Sequence, residues 1–114
     1  MSFAGRVYNA VRKIPRGKAA TYKSVAVAIG QPLASRAVAL VLSKNFDVKV
    51  PCHRVVRSDG MLGGYNRSGP AQKSKLLREE GVLVKNHRIN LKKFSILPNA
   101  PESRQLLLAD EWRD

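Results

Sequence analysis

Two short segments with helical spacing, joined by a tight turn, constrain the fold of this chain more than any other feature of its sequence. The first runs from Thr21, a residue type that caps helix N-termini, to Ile29, and Gly30 supplies a C-terminal stop. Ser35 is the N-cap candidate for a second helix over about residues 36–44. The apolar residues that share a face are Val25, Ala28 and Ile29 in the first segment and Val38, Val41 and Leu42 in the second. This pattern predicts a helix-turn-helix.

The remaining segments predict two further helices and little β structure. The apolar residues within segment 3–13 recur at helical spacing, whereas residues 46–58 look extended. A helix over about residues 70–80 is ended by Gly81, and residues 82–91 predict a small terminal hairpin. We therefore predict a mostly α domain with a small β element, similar to a winged helix-turn-helix.

Length and hydropathy favour a single folded domain. The chain has 114 residues, of which 44% are hydrophobic, enough for one modest core without crosslinks. We expect a domain over residues 1–97 and a tail or linker over 98–114, which includes a short helix near residues 104–112. No apolar stretch approaches a bilayer span and the N-terminus lacks a signal peptide, so we expect no membrane partner.

The charge of the chain points to a polyanionic partner. The net charge is +13; the last sixteen residues hold four acids and two bases, which leaves +15 on residues 1–98. A folded domain this basic favours nucleic acid as its partner. Two simpler alternatives are a basic tail like those of ribosomal proteins and binding to an anionic membrane surface. The bases are scattered through patterned sequence and do not form one run, which argues against both. We predict a DNA-binding domain located in the cytoplasm, at the nucleoid, or in the nucleus.

The single cysteine, Cys52, excludes an internal disulfide and a cysteine-rich zinc site. We expect no metal and no cofactor. A free thiol is most often an inert core residue, but here His53 follows directly, and an imidazole can convert a thiol into the nucleophilic thiolate. In a strand these two side chains would point to opposite faces, so direct activation would need a turn at Pro51 or a bridging water.

Several segments together resemble one protein family. They are Val50-Pro51-Cys52-His53-Arg54-Val55-Val56, Ser58-Asp59-Gly60, Gly63-Gly64-Tyr65, Leu76 to Gly81, Pro15 to Tyr22 and Ala34 to Val38. Over residues 3–91 the chain resembles the O6-alkylguanine-DNA alkyltransferases, in their C-terminal active-site and DNA-binding domain. The resemblance implies a single-turnover DNA repair methyltransferase. It would flip an O6-alkylguanine out of duplex DNA and transfer the alkyl group irreversibly to Cys52.

The resemblance also implies a catalytic relay. Cys52 would be the alkyl acceptor, His53 would deprotonate it through an ordered water, and Glu80 would orient and polarise His53. The simpler interpretations are a structural histidine and a carboxylate near a helix C-terminus, an electrostatically poor position that mildly favours a functional purpose.

Further residues are expected at the DNA. Tyr22 would donate to a guanine ring nitrogen and help rotate the nucleotide, unless it is only a half-buried aromatic. Arg36 would enter the base stack, unless it is an ordinary phosphate contact. The other residues implied are Ser35 on the recognition helix, Asn45 at the turn after it, Arg54, Val55 through its carbonyl, and Tyr65 and Asn66 in a loop that closes over the base.

Some features depart from the family pattern. The segment from Asn45 to Cys52 is about one residue shorter than expected, which affects the rim of the pocket. Asn66 and Arg67 stand where a small residue is expected after Tyr65. We expect the protein to lack the N-terminal domain that many family members carry. We expect a monomer that acts on double-stranded DNA, fused to or working with another repair domain.

Two other functions remain open. Alkyltransferase-like proteins bind the lesion without chemistry and recruit other repair factors, but they usually carry another residue, often tryptophan, at the cysteine position. A transcription regulator would need sequence readout, which a recognition helix rich in small residues offers poorly. Cys52 and the small recognition-helix side chains therefore favour the transferase.

Overall fold

The computed structural model describes residues 2–63 and 69–98. Three helices form its larger core: α1 (Phe3–Arg12), α2 (Tyr22–Ala28) and α3 (Ser35–Ser43). Each packs on the other two, because each presents an apolar stripe at helical spacing. The fully buried side chains of this core include Val7, Val11, Val25 and Val38.

Helices α2 and α3 form the predicted helix-turn-helix. Thr21 caps α2 with a capping box, in which its Oγ1 accepts from the Ser24 N–H at 3.0 Å and the Ser24 Oγ accepts from the Thr21 N–H at 2.8 Å. The predicted cap of α3 was wrong. Ala34 is the N-cap and makes no side-chain cap bond, while Ser35 is already the first helical residue.

The segment around the cysteine is a turn, so the prediction of continuous extended chain over residues 46–58 was wrong. Cys52–Arg54 form a 3₁₀ helix, and only β2 (Val55–Val56) is a strand, paired in parallel with β1 (Ala20–Thr21). The Arg54 N–H donates to the Pro51 carbonyl at 3.0 Å and closes the turn. Successive residues of a 3₁₀ helix lie about 120° apart, so Cys52 and His53 do not point to opposite faces.

The described residues after β2 form two helices and a small hairpin. Helix α4 (Gly69–Glu79) contacts the 3₁₀ helix, and β3 (Val84–Lys85) pairs antiparallel with β4 (Arg88–Ile89). The two turn residues between these strands have positive φ, 54° at Asn86 and 58° at His87, as a two-residue hairpin turn requires. A short helix α5 (Leu91–Phe94) follows, which the sequence did not predict.

The predicted fold class, mostly helical with small sheets around a helix-turn-helix, is therefore confirmed. Within the described ranges, no helix is long and apolar enough to cross a membrane. The proposed tail helix near residues 104–112 lies outside the described residues, so the division of the chain at residue 97 stays a prediction.

Candidate active site

The thiol of Cys52 is buried, with 6% of the residue exposed, and lies in contact with Asn45. Asn45 follows the last turn of α3, and its Nδ2 donates to Cys52 Sγ at 2.9 Å. The same amide holds the intervening loop, because its Oδ1 accepts from the Asp47 N–H at 3.1 Å. Asn45 therefore joins the end of α3 to the sulfur atom.

The histidine in the same turn as the thiol pairs with a carboxylate that directly follows α4. His53 Nε2 and Glu80 Oε2 are 3.0 Å apart, and both side chains are about nine-tenths buried, with 11% and 8% exposed. Arg54 binds the same carboxylate through two bonds, Nε to Oε1 at 2.9 Å and Nη2 to Oε2 at 2.7 Å. Its Nη1 also donates to the Ile14 carbonyl at 2.7 Å, which ties the pair to the end of α1.

The electrostatics of this pair favour a neutral imidazole beside an ionised carboxylate. Burial lowers the pKa of His53 below its usual value, and this effect outweighs the hydrogen bond to Glu80 that would raise it. Burial alone would raise the pKa of Glu80, but hydrogen bonds from Arg54 and His53 prevail and lower it. An ionised Glu80 only accepts, so His53 carries its proton on Nε2 and presents Nδ1 as a proton acceptor.

Lys73, which the sequence reasoning missed, is fully buried in α4. Its Nζ lies 5.8 Å from the centroid of the Tyr22 ring. Burial lowers the pKa of Lys73 to about 8, and the negative charge of a Cys52 thiolate opposes that shift. One signal was available: Lys73 precedes Leu77 by four residues and so shares the buried face of the helix. A charged residue on such a face indicates a special environment.

Tyr22 begins α2 and lines an open cavity of about 510 Å³. Burial raises the pKa of Tyr22, and the negative charge of Cys52 adds to the shift. The other cavity residues include Ser35, Arg36, Arg57, Ser58 and Asp59. The structure thus brings Tyr22, Ser35 and Arg36, three of the residues expected at the DNA, to one cavity, although Cys52 itself does not line it.

The remaining predicted site residues divide into two groups. Val55 is fully buried in β2, directly after the 3₁₀ helix. Tyr65 and Asn66 lie outside the described residues, so the structure says nothing of the loop they were expected to form. Among the described residues, no cluster of His, Cys, Asp and Glu could hold a metal ion.

The fold and site together define a helix-turn-helix domain with a buried cysteine beside a histidine–carboxylate pair. Residues 2–82 match the family model described as "6-O-methylguanine DNA methyltransferase, DNA binding domain". The chain therefore belongs to this family.

Known relatives agree with this assignment. The chain is 51% identical over 85 residues to a methylated-DNA–protein-cysteine methyltransferase of Metallosphaera sedula, a match that covers 74% of this chain and 52% of that protein. Among solved structures it is similar to S. pombe Atl1 in complex with damaged DNA containing O6-carboxymethylguanine, with a TM-score of 0.76 and 31% identity over 84% of this chain and 95% of that one. It is also similar to Mycobacterium tuberculosis OGT in complex with DNA, with a TM-score of 0.66 and 41% identity, covering 70% of this chain and 50% of that one.

The chain spans only part of the curated relatives that it matches. It covers about half of the M. sedula protein, and 30% of a bifunctional methyltransferase/endonuclease of Picrophilus torridus to which it is 42% identical over 89 residues. The domain of this family thus occurs within longer proteins.

Proposed function

We propose that this chain is the active-site domain of a DNA repair protein, which transfers the alkyl group of O6-alkylguanine irreversibly to Cys52. The observation that carries the proposal is the placement of Cys52 and His53 in one 3₁₀ turn, with Glu80 bonded to the imidazole at 3.0 Å. This is the arrangement of a nucleophile, a base and an orienting acid. The net charge of +13 supports duplex DNA as the partner.

The proposed reaction is a single displacement. Neutral His53 takes the thiol proton through a water molecule, and the Cys52 sulfur attacks the alkyl carbon of the lesion. The carbon–sulfur bond forms while the bond from carbon to guanine O6 breaks, and the electron pair of that bond goes to the guanine. The guanine ring then takes up one proton, so the thiol hydrogen and the alkyl group have exchanged places. No second substrate restores the thiol, hence one turnover per molecule.

Access to the lesion requires that the nucleotide leave the base stack, since O6 faces a paired base in the duplex. Tyr22 and Arg36 line one cavity, which supports the proposal that Tyr22 donates to a guanine ring nitrogen while Arg36 fills the vacated space. In this proposal Ser35 contacts the DNA backbone, the carbonyls of Cys52 and Val55 accept from the guanine amino group, and Tyr65 and Asn66 close over the base.

Methyl transfer to DNA-bound protein tests the proposal. The protein is mixed with an excess of duplex containing one O6-methylguanine, then digested and analysed by mass spectrometry. One methyl group is expected on the peptide that contains Cys52, and none with Cys52→Ser. Absence of the label from wild-type protein that binds the duplex would contradict the transfer.

A lesion-binding protein without chemistry is the second candidate. The likeness to Atl1 favours it, because this chain covers 95% of that protein and that protein was solved with damaged DNA. Cys52 and its contact with Asn45 favour transfer instead. The same experiment separates the two, since tight lesion binding without label would support the second.

The cellular setting follows from the proposed substrate. The domain would act at the nucleoid or in the nucleus, where duplex DNA is present. One domain carries the whole proposed relay, so we propose that it acts as a monomer, alone or fused to another repair module. Sedimentation of the complex with DNA would detect a second copy.

A further inference from the structure

The turn that follows β2 contributes two charged side chains to the cavity beside Tyr22. Arg57 Nη2 and Asp59 Oδ2 form an ion pair at 3.0 Å, with 59% and 47% of the side chains exposed. Both residues line the cavity that Tyr22 and Arg36 also line. The proposed transfer reaction uses neither Arg57 nor Asp59.

Gly63 shows how closely Arg57 approaches the tyrosine. A Cβ placed on Gly63 would lie 3.4 Å from Arg57 Cγ and 3.4 Å from the hydroxyl oxygen of Tyr22. The stem of Arg57 and the end of the Tyr22 ring therefore both lie beside the same glycine. The guanidinium extends from that point into an exposed position at the cavity.

We propose that Arg57 binds a phosphate of the DNA strand that carries the damaged nucleotide, and that Asp59 is the counter-ion that holds Arg57 until the phosphate replaces it. The inference rests on the DNA binding of the proposed function and adds a contact to it.

The chemistry of the cavity fits a phosphodiester. Arg36 and Arg57 approach it from two different elements, and Ser35 and Ser58 add hydroxyl donors. A guanidinium offers paired N–H groups that match two phosphate oxygens. The cavity is open, as a continuous strand requires, and Tyr22 lies beside it to meet the rotated base. Phosphate contacts of this kind fix the register of a protein on DNA without reading sequence.

The geometry of Asp59 fits a replaceable counter-ion. Its Oδ1 accepts from the Met61 N–H at 3.0 Å, which fixes the carboxylate through the turn, while Oδ2 faces Arg57. An exposed ion pair of this kind is weak and is screened by salt, so a polyanion can compete with it. Without Arg57, the carboxylate would face DNA unneutralised.

In the opposing interpretation, Arg57 only neutralises Asp59 near the DNA and contacts no phosphate. A double-mutant cycle separates the two. Arg57→Gln, Asp59→Asn and the double variant are titrated with duplex containing O6-methylguanine at several salt concentrations. Asn at position 59 can still accept from the Met61 N–H, so the turn is kept.

If Arg57 binds phosphate, Arg57→Gln weakens binding about three- to tenfold in the Asp59→Asn background, and the slope of log K against log salt falls by about 0.9. An unchanged affinity and slope in that background overturn the inference. An arginine that only neutralises Asp59 has no charge left to neutralise once Asp59 is replaced by Asn. Arg12→Gln is the matched control, because Arg12 is exposed on α1 and does not line this cavity.

The outcomes distinguish this inference from the proposed function. The wild-type protein can bind the duplex and become methylated on Cys52 while Arg57→Gln has no effect in the Asp59→Asn background. That result overturns the phosphate contact alone. Wild-type protein that binds without labelling Cys52 overturns the transfer and leaves the cycle interpretable. Wild-type protein that does not bind the duplex overturns both. Circular dichroism and thermal unfolding of each variant exclude a folding defect.

Discussion

His53 Nε2 lies 3.0 Å from Glu80 Oε2, although 27 residues separate them in the chain. The same carboxylate is held by Arg54, the residue next to His53, through a bidentate pair. Glu80 is thereby fixed against the 3₁₀ turn that carries the thiol. Two consecutive residues of that turn thus share one acid, so that Arg54 positions the carboxylate and the carboxylate orients the imidazole.

Replacing Glu80 is expected to slow methyl transfer and weaken the fold. Glu80→Gln removes the negative charge that keeps the His53 proton on Nε2 and adds an amide N–H that can donate to that nitrogen, so the single-turnover rate should fall about 100-fold. It also leaves Arg54, with 16% of its side chain exposed, without its charged partner, at a cost of roughly 3 kcal/mol in the free energy of unfolding. Single-turnover kinetics and urea unfolding measure both effects. Glu79→Gln is the control, since the Glu79 side chain is exposed, and equal effects of both variants would argue against the relay.

Alkylation of Cys52 is expected to destabilise the domain. The sulfur is nearly buried and accepts from Asn45 at 2.9 Å, so an added methyl group must displace packed atoms at a cost of about 1–3 kcal/mol. Thermal unfolding before and after reaction with methylated DNA should show a Tm lower by several degrees. Asn45→Ala should reduce this difference, because the bond that methylation disrupts is already absent. An unchanged Tm on methylation would show that the pocket accommodates the adduct.

Lys73 is expected to stabilise the thiolate at the expense of the fold. Lys73→Met should slow the alkylation of Cys52 by iodoacetamide near neutral pH, because it removes a buried positive charge that interacts with the thiolate. The rate of reaction with iodoacetamide against pH measures this change. Lys75→Met, at an exposed position of the same helix, is the control.

The Lys73→Met variant should also differ from wild type in the pH dependence of its stability. The pKa of Lys73 is about 8 in the fold and 10.5 when unperturbed, so the buried ammonium costs roughly 3 kcal/mol below pH 8, a cost that disappears as pH rises to 10.5. Lys73→Met should therefore be more stable than wild type at pH 7 and lose that advantage between pH 8 and 10.5. A constant difference across this window would show that the effect is packing alone.

Acid should destabilise the domain in two stages. The pKa of His53 is lowered, so the unfolded chain binds more protons as pH falls below about 6.5 and stability declines. The pKa of Glu80 is also lowered, so its contribution is present above 4.5 and is lost as pH falls through the lower value in the fold. Urea unfolding at a series of pH values should show both stages. His53→Gln should remove the first, and its persistence in that variant would assign it to another group.

The local elements were predictable because their signals are local. Thr21 caps α2 through Ser24, three residues away, and the helices of the helix-turn-helix follow from apolar residues at helical spacing. The conformation of the cysteine segment was not predictable. Its sequence looked extended, whereas Pro51 and Arg54 close a 3₁₀ turn. A turn of three residues has no periodicity that a pattern can reveal.

The sequence by itself determined helices α1 to α4, the basic charge, and the cysteine with its adjacent histidine, since each of these follows from composition or from residues close together in the chain. Only the tertiary structure decided which side chains surround them: Glu80 on His53, which the family resemblance alone had implied, Asn45 on the sulfur, buried Lys73 near Tyr22, and Arg57 at the cavity. The physical reason is that these contacts join residues on different elements. Their distances are set by how α3, α4 and the turn after β2 pack around the 3₁₀ helix, and no spacing within one element specifies that packing.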